Sequence, residues 1–213
     1  MVALRGQRTF LMPLDELDLL LLDYVSDLPA SLAQLSCEHA GVLFNKPHSG
    51  LASEEISKRI TALVDAGYVS FSLGNNEPVP LRRDSLSAPE LWVSLTEKGG
   101  QQWETAFRPD WHRYLRLESA WRGKMEFLSV AGLDLDALKQ ALVDSGSAGV
   151  RISRIKPLGE WSATYWKTFE SGYRVLLAAP EGSLNSELFS KLNRPWRRDW
   201  SQADQGLGFS LQG

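Results

Sequence analysis

Cysteine is almost absent from this chain: Cys37 is the only one in 213 residues. That excludes an intrachain disulfide and a cysteine-based zinc site, and it suits a reducing compartment. Histidine is nearly as scarce, and His39, His48 and His112 are too scattered for a metal-ligand signature. Long apolar runs are missing as well. The longest, LDLLLLDYV at 17–25, holds two Asp and is too short to span a bilayer. The opening MVALRGQRTFLMPLDELD turns acidic after a short apolar patch with no small-residue cleavage site, so no secretory signal is expected. These absences predict a cytoplasmic protein that does not enter a membrane. No GxxxxGK[ST] loop, GxGxxG turn or GxSxG elbow occurs. Asp134-x-Asp136 reads as helix-start chemistry, with Mg²⁺ binding as the alternative, and His112 beside Asp110 has no nucleophile to serve as general base. The expectation is a chain that is not an enzyme and carries no metal and no cofactor.

What is present is a packed composition, 43% hydrophobic and 23% charged, of a length for one or two domains. The net charge of −3 is unevenly spread. Residues 1–115 carry 10 Lys+Arg against 15 Asp+Glu, and residues 116–213 carry 13 against 11. A module that binds duplex DNA displaces counterions with a positive footprint, so the acidic first half counts against DNA as partner.

Helical periodicity in LDELDLLLLDYVSDL puts Leu17, Leu20, Leu21 and Tyr24 on one face and Asp15, Asp18 and Asp23 elsewhere. In SLAQLSCEHAG, Ser31 is the expected N-cap and Gly41 the stop. In GLASEEISKRITALVDAGYV, Ser53 is the expected cap, Ile56, Ile60, Leu63 and Val64 the inward stripe, and Gly67 the end. YVSFSL and LWVSL alternate Val69, Phe71, Leu73 and Leu91, Val93, Leu95 with polar residues, which predicts a hairpin joined by a long wing over 74–90. Thr96 then caps a helix with Trp103 and Phe107 at i and i+4.

Helix, helix, helix, strand, strand and LTEKGGQQWE, with LVDAGYV at the third helix, make residues 14–107 similar to a bacterial winged helix-turn-helix domain of the MarR or PadR kind. The resemblance implies that the third helix holds the recognition position, and that DNA contacts, in a regulator, would come from Lys58 and Arg59 on that helix and Arg82 and Arg83 on the wing. The face expected to point outward is Glu55, Lys58, Arg59, Thr61, Ala62 and Asp65. Two carboxylates there, and the long GVLFNKPHSG between the second and third helices, depart from the DNA-reading pattern.

RPDWHRYLRLESAWRG reads as the link between halves, with Pro109 ending the preceding helix and Trp111, Tyr114 and Trp121 packing against the first. Beyond it, KMEFLSVAG is an expected strand, DLDALKQALVDSG a helix with Leu135, Leu138 and Leu142 inward, and GVRISRIKPL a second strand. WSATYWKTFESGYRVLLAAP gives two strands joined at Glu170-Ser171-Gly172, and Leu184 to Trp200 a last helix. The predicted fold is thus α+β, a winged-helix domain at 1–115 packed against a small, sandwich-like α/β module at 116–213. Of eight Trp, five fall in this module, and four of them (161, 166, 196 and 200) lie beyond the link. Trp161, Tyr165 and Phe169 are expected to alternate toward a core, or part of the set lines a partner surface. KLNRPWRRDW gathers Lys191, Arg194, Arg197 and Arg198 beside Trp196 and Trp200, either as the surface for an acidic protein or single-stranded nucleic acid, or as a solvated amphipathic helix. Two functions compete on these residues: an adaptor or immunity-like protein acting through a protein partner, and a winged-helix transcription regulator whose second module binds an effector or dimerises.

Overall fold

The computed structural model describes residues 14–44, 46–73, 91–122, 125–145, 151–180 and 196–197, which contain helices and antiparallel sheets. The chain divides into two compact units, Met1–Gly99 and Gly100–Gly213. The expected boundary was near residue 115; the observed division lies earlier, inside a helix.

In the first unit, α1 (Glu16–Tyr24) starts at a capping box in which the Asp15 carboxylate accepts the Asp18 N–H and Asp18 returns the favour to the Asp15 N–H. Its far half is buried all round, at Leu20, Leu21, Leu22, Asp23 and Tyr24. Asp23 therefore does not lie outside, as its charge suggested: its carboxylate meets the Lys46 ammonium at 2.9 Å, with side chains 2% and 6% exposed. A two-residue strand, β1 (Ala30–Ser31), precedes α2 (Leu32–Leu35), and Ser31 does cap that helix, in a box with Gln34. Gly41 does not stop it. α2 ends at Ser36, and Gly41 sits inside a further short helix, α3 (Ala40–Phe44), where an added Cβ would lie 2.9 Å from the Lys46 carbonyl.

The amphipathic α4 (Ser53–Asp65) buries Ile56, Ile60 and Leu63, while Val64, expected in the same stripe, is only half-buried. Its N-cap is Ala52, and the Ser53 hydroxyl, expected to cap, donates instead to the Ser36 carbonyl at 3.0 Å. Gly67 ends it at φ 75°. The Gly67 N–H bonds Val64 O and the Tyr68 N–H bonds Leu63 O, a Schellman pair that satisfies two of the helix's last carbonyls. Strands β2 (Val69–Ser72) and β3 (Trp92–Leu95) pair antiparallel as expected, Val69 opposite Leu95 and Phe71 opposite Val93, with β1 on the other side of β3.

The motifs LVDAGYV and LTEKG meet in space. The Thr96 hydroxyl lies 2.7 Å from the Gly67 carbonyl and accepts the Gly99 N–H at 3.1 Å, so it caps α5 (Glu97–Phe107) as predicted. Lys98 donates to the Ala66 carbonyl at 2.6 Å and lies 4.3 Å from the Tyr68 ring centroid, placing a cation on the negative end of α4. Gly99 does more than give its N–H to the cap. It is a helical residue whose missing side chain admits the Tyr68 carbonyl, 1.9 Å from where a Cβ would stand. Backbone on both sides cannot yield, so Gly99→Ala is expected to lose about 3 kcal/mol despite the better helix propensity of Ala. Chemical denaturation checks this, and a stability gain would refute the close approach.

In the second unit, β4 (Arg116–Arg122), β5 (Met125–Gly132), β6 (Arg151–Leu158) and β9 (Gly172–Pro180) form an antiparallel sheet in the order β4-β5-β9-β6. α6 (Leu135–Ser145) follows β5, with the Asp134 carboxylate accepting the Asp136 and Ala137 N–H groups. Those two amides hold the Asp134 carboxyl below the ordinary carboxylate range. Leu138 of α6 packs with Leu128, Val130, Val175 and Leu177 on one sheet face. Two expectations change here. Arg116–Arg122 is a full strand rather than a link. Residues 161–169 pair among themselves as a ribbon, β7 (Trp161–Ser162) with β8 (Thr168–Phe169), rather than extending into β9. Trp161 is buried and its indole N–H donates to the Ser171 carbonyl, but Tyr165, expected inward, is 38% exposed at the ribbon's turn.

Candidate functional site

Of the residues singled out for DNA, Lys58 and Arg59 are described, and Arg82 and Arg83 lie outside the described residues. Lys58 is 79% exposed. Arg59 is not free to reach a base. One guanidinium nitrogen, Nη1, donates to both Asp15 carboxylate oxygens at 2.9 and 2.8 Å and to Asp18 at 2.9 Å, while Nε lies 3.3 Å from Glu55. Burial pushes the Asp15 carboxyl up, but the Asp18 amide and the Arg59 guanidinium outweigh it and hold the group below the ordinary range. The hydrogen bonds that Arg59 donates to Asp15 in turn stabilise the charged guanidinium. The two carboxylates of the α1 capping box thus have a second task, neutralising the arginine of α4. Sequence periodicity puts Arg59 outward but does not disclose that α1 supplies its partners.

The basic-aromatic segment is described only at Trp196 and Arg197; Lys191, Arg194, Arg198 and Trp200 lie outside the described residues. Trp196 and Arg197 are not helical, as the reading of 184–200 required, but sit in an irregular bend. Pro195 just before them lacks the amide that a helix interior would use. The Trp196 carbonyl accepts the Asp110 N–H at 2.6 Å. Its half-buried ring lies 5.0 Å from Trp111, 4.6 Å from Tyr114 and 5.9 Å from Trp103. The Arg197 guanidinium stands 5.4 Å from the Trp196 centroid and 5.6 Å from that of Trp103, in cation–π range.

These contacts belong to a larger cluster inside the second unit. Trp103 is fully buried, 5.4 Å from Phe107 as the i, i+4 spacing predicts, 6.5 Å from Trp111 and 5.8 Å from Trp166. Gly100 makes room for it: a Cβ there would come within 2.2 Å of the Trp166 ring. Trp111 and Tyr114, expected against the first half, pack here, and the Tyr114 hydroxyl donates to the Ala163 carbonyl at 2.7 Å. A polar clasp that sequence alone did not suggest closes one side. Glu104 accepts the Trp111 indole N–H at 2.7 Å and pairs with Lys167 at 2.6 Å, whose ammonium also lies 5.6 Å from the Trp111 ring. The cluster therefore has a dry centre at Trp103 and a half-buried rim of Trp111, Tyr114, Trp166, Trp196 and Arg197. That is the layout of a packed aromatic core with a flat half-buried edge and one guanidinium stacked on it.

The histidines and the single cysteine make the following contacts. The Asp110 carboxylate accepts the His112 backbone N–H at 3.1 Å rather than orienting its ring. His48 accepts the Gly50 N–H on Nδ1, which makes Nε2 the donor to the Glu38 carbonyl. Cys37, Glu38 and His39 are exposed, and no group of three His, Cys, Asp or Glu suited to a metal occurs among the described residues. No helix there is long and apolar enough to cross a membrane. Set against known proteins, the chain matches no family model, no curated protein and no solved structure.

Proposed function

We propose that this chain is a non-catalytic cytoplasmic protein that works through protein contact, in the manner of an adaptor or immunity protein, with a winged-helix-like first unit as scaffold and the aromatic rim of the second as binding face. The observation that carries the proposal is the state of Arg59. The helix that would enter a DNA groove spends its more capable cation on Asp15, Asp18 and Glu55, and Glu54, Glu55 and Asp65 outnumber Lys58 and Arg59 along its length. A phosphate backbone approaching that face would meet net negative charge. The rim at Trp196 and Arg197 has the composition of a protein hot spot, a tryptophan and an arginine already held in place. The regulator reading keeps two supports, the order of helices and strands in residues 14–107 and the exposed Lys58.

The test is site-specific photo-crosslinking in cells, with the probe placed at 197 and, separately, at 58. The expected result is a discrete, nuclease-resistant protein adduct from 197 that disappears in Trp196→Ala, and no nucleic-acid adduct from 58. Arg197→Glu is expected to remove the same partner at a stability cost of about 1 kcal/mol, the scale of a cation–π contact. A nucleic-acid adduct at 58 without a protein adduct at 197 would reverse the reading.

A further inference from the structure

The sheet of the second unit has two unlike faces. Val175 and Leu177 of β9 face α6, in the cluster with Leu138. Residues directly opposite in an antiparallel pair share a face, so Ile155 opposite Val175 and Ile152 opposite Leu177 belong to the α6 side. The other face carries Arg174, Leu176 and Ala178 from β9, and Lys156, Arg154 and Arg151 opposite them in that order on β6.

Simple alternation along β6 would not produce this. Arg151 and Arg154 are three apart and belong on opposite faces of a regular strand. A register shift between Ile152 and Arg154 inserts Ser153 as an extra residue and turns Arg151 to the side of Arg154 and Lys156. The bulge gathers three cations on one face, and Arg174 on the neighbouring strand makes a fourth. All four are exposed, and none has an ion-pair partner among the described residues. Lys156 and Arg174 are directly opposite each other, an arrangement that costs stability in a sheet unless an anion lies across it. The β4 side of the same face is different: Arg116 is paired with Glu118 at 2.8 Å and bonds the Ser162 carbonyl, so its charge is already balanced.

We propose that the β6–β9 half of this face docks an acidic polypeptide segment of a partner protein, with Arg151, Arg154, Lys156 and Arg174 as its contacts. The proposal rests on the reading of the chain as an interaction protein and names the chemistry of the partner. Four cations on adjacent strands, without an ion-pair partner among the described residues, complement clustered carboxylates, and arginine can hold each carboxylate through two hydrogen bonds. Single-stranded nucleic acid is the poorer fit, because it needs aromatic platforms for its bases. The aromatic residues described on this face are Phe127, half-buried opposite Ala178, and the Trp161–Phe169 pair that packs with Ala131 and Leu158; Trp161 is buried there, so it offers no open ring to a base. Pro157 and the bulge on β6 disfavour addition of a strand along the edge, so the segment lies across the face.

The experiment titrates the full chain at low salt with fluorescein-labelled octaglutamate, matching the 8 residues of β6, and with octathymidylate. Arg154→Gln with Lys156→Gln should weaken octaglutamate binding at least about tenfold. The thermal midpoint should hold or rise, because the like-charge pair with Arg174 is relieved. A merely structural role would lower that midpoint instead. The charge-preserving pair Arg154→Lys and Lys156→Arg should bind within about threefold of wild type. Unchanged binding by the glutamine variant would overturn the site, and tighter binding of octathymidylate than of octaglutamate would overturn the partner class. Arg197→Glu separates this proposal from the one before it. Retained octaglutamate binding supports the sheet face, whereas its loss there but not in the glutamine variant assigns acid recognition to the aromatic rim and leaves the interaction reading standing.

Discussion

Trp103→Ala is expected to cost about 3–5 kcal/mol, the range for deleting a large buried aromatic side chain. The ring is fully buried and lies within 6.5 Å, centroid to centroid, of Phe107, Trp111, Trp166 and Trp196. Those neighbours come from separate stretches of chain, and several are held by their own hydrogen bonds. The Trp111 indole is fixed to Glu104, and the Trp196 backbone to Asp110. A cavity at Trp103 cannot close by a small local collapse, so the loss should sit toward the upper part of that range. Trp103→Phe should cost less, since a ring remains to pack against the others. Urea unfolding followed by far-UV circular dichroism checks both. A cost below about 1 kcal/mol for Trp103→Ala, typical of sites that are not packed, would mean the cluster does not hold the second unit together.

Asp23→Ala should destabilise the first unit by a similar amount, about 3–5 kcal/mol, for a different reason. Asp23 and Lys46 are almost wholly out of water, 2.9 Å apart, and the Ser26 hydroxyl lies 2.9 Å from the Asp23 carbonyl and 3.3 Å from its carboxylate. Removing the carboxylate leaves an ammonium in a low-dielectric site, with Asp27, 3.7 Å away and half exposed, as a weaker substitute. The pair itself need not be worth that much. Asp23→Leu with Lys46→Met should recover most of the loss, because two apolar side chains of similar size replace two desolvation penalties along with their attraction. A double variant no more stable than Asp23→Ala would show that the ion pair carries net stability of its own.

Asp23 also marks where the sequence misleads. Helical periodicity in α1 was readable because Leu17, Leu20, Leu21 and Tyr24 recur at the right spacing, and the charged residue between them was placed outside on chemical type alone. Nothing local reveals that Lys46 arrives from 23 positions away. The stripe of α4, the alternation in β2 and β3, and the Thr96 cap were all legible, since each depends on neighbours within a few residues. β4 was not, because its alternation of Leu117 and Ser119 with Arg116 and Glu118 was masked by charge and by the tryptophans nearby. The β6 face was hidden more deeply. A bulge inserts one residue without any compositional sign, and the side of each arginine follows from the register of β9, not from β6. The aromatic cluster shows both limits at once: the Trp103–Phe107 pair could be read from i, i+4 spacing, but the meeting of Trp111, Trp166 and Trp196 around it could not.

The central claim, that this chain meets proteins and not DNA, is tested most directly by titrating a fluorescently labelled random duplex with the full chain at about 150 mM salt and reading anisotropy. The carboxylates around Arg59 predict no saturable binding, or binding weaker than about 10⁻⁴ M, the weak edge of ordinary non-specific affinity. Sub-micromolar binding that falls steeply as salt is raised would contradict the account, for it would require a cationic footprint that α4, with its arginine already neutralised, does not offer.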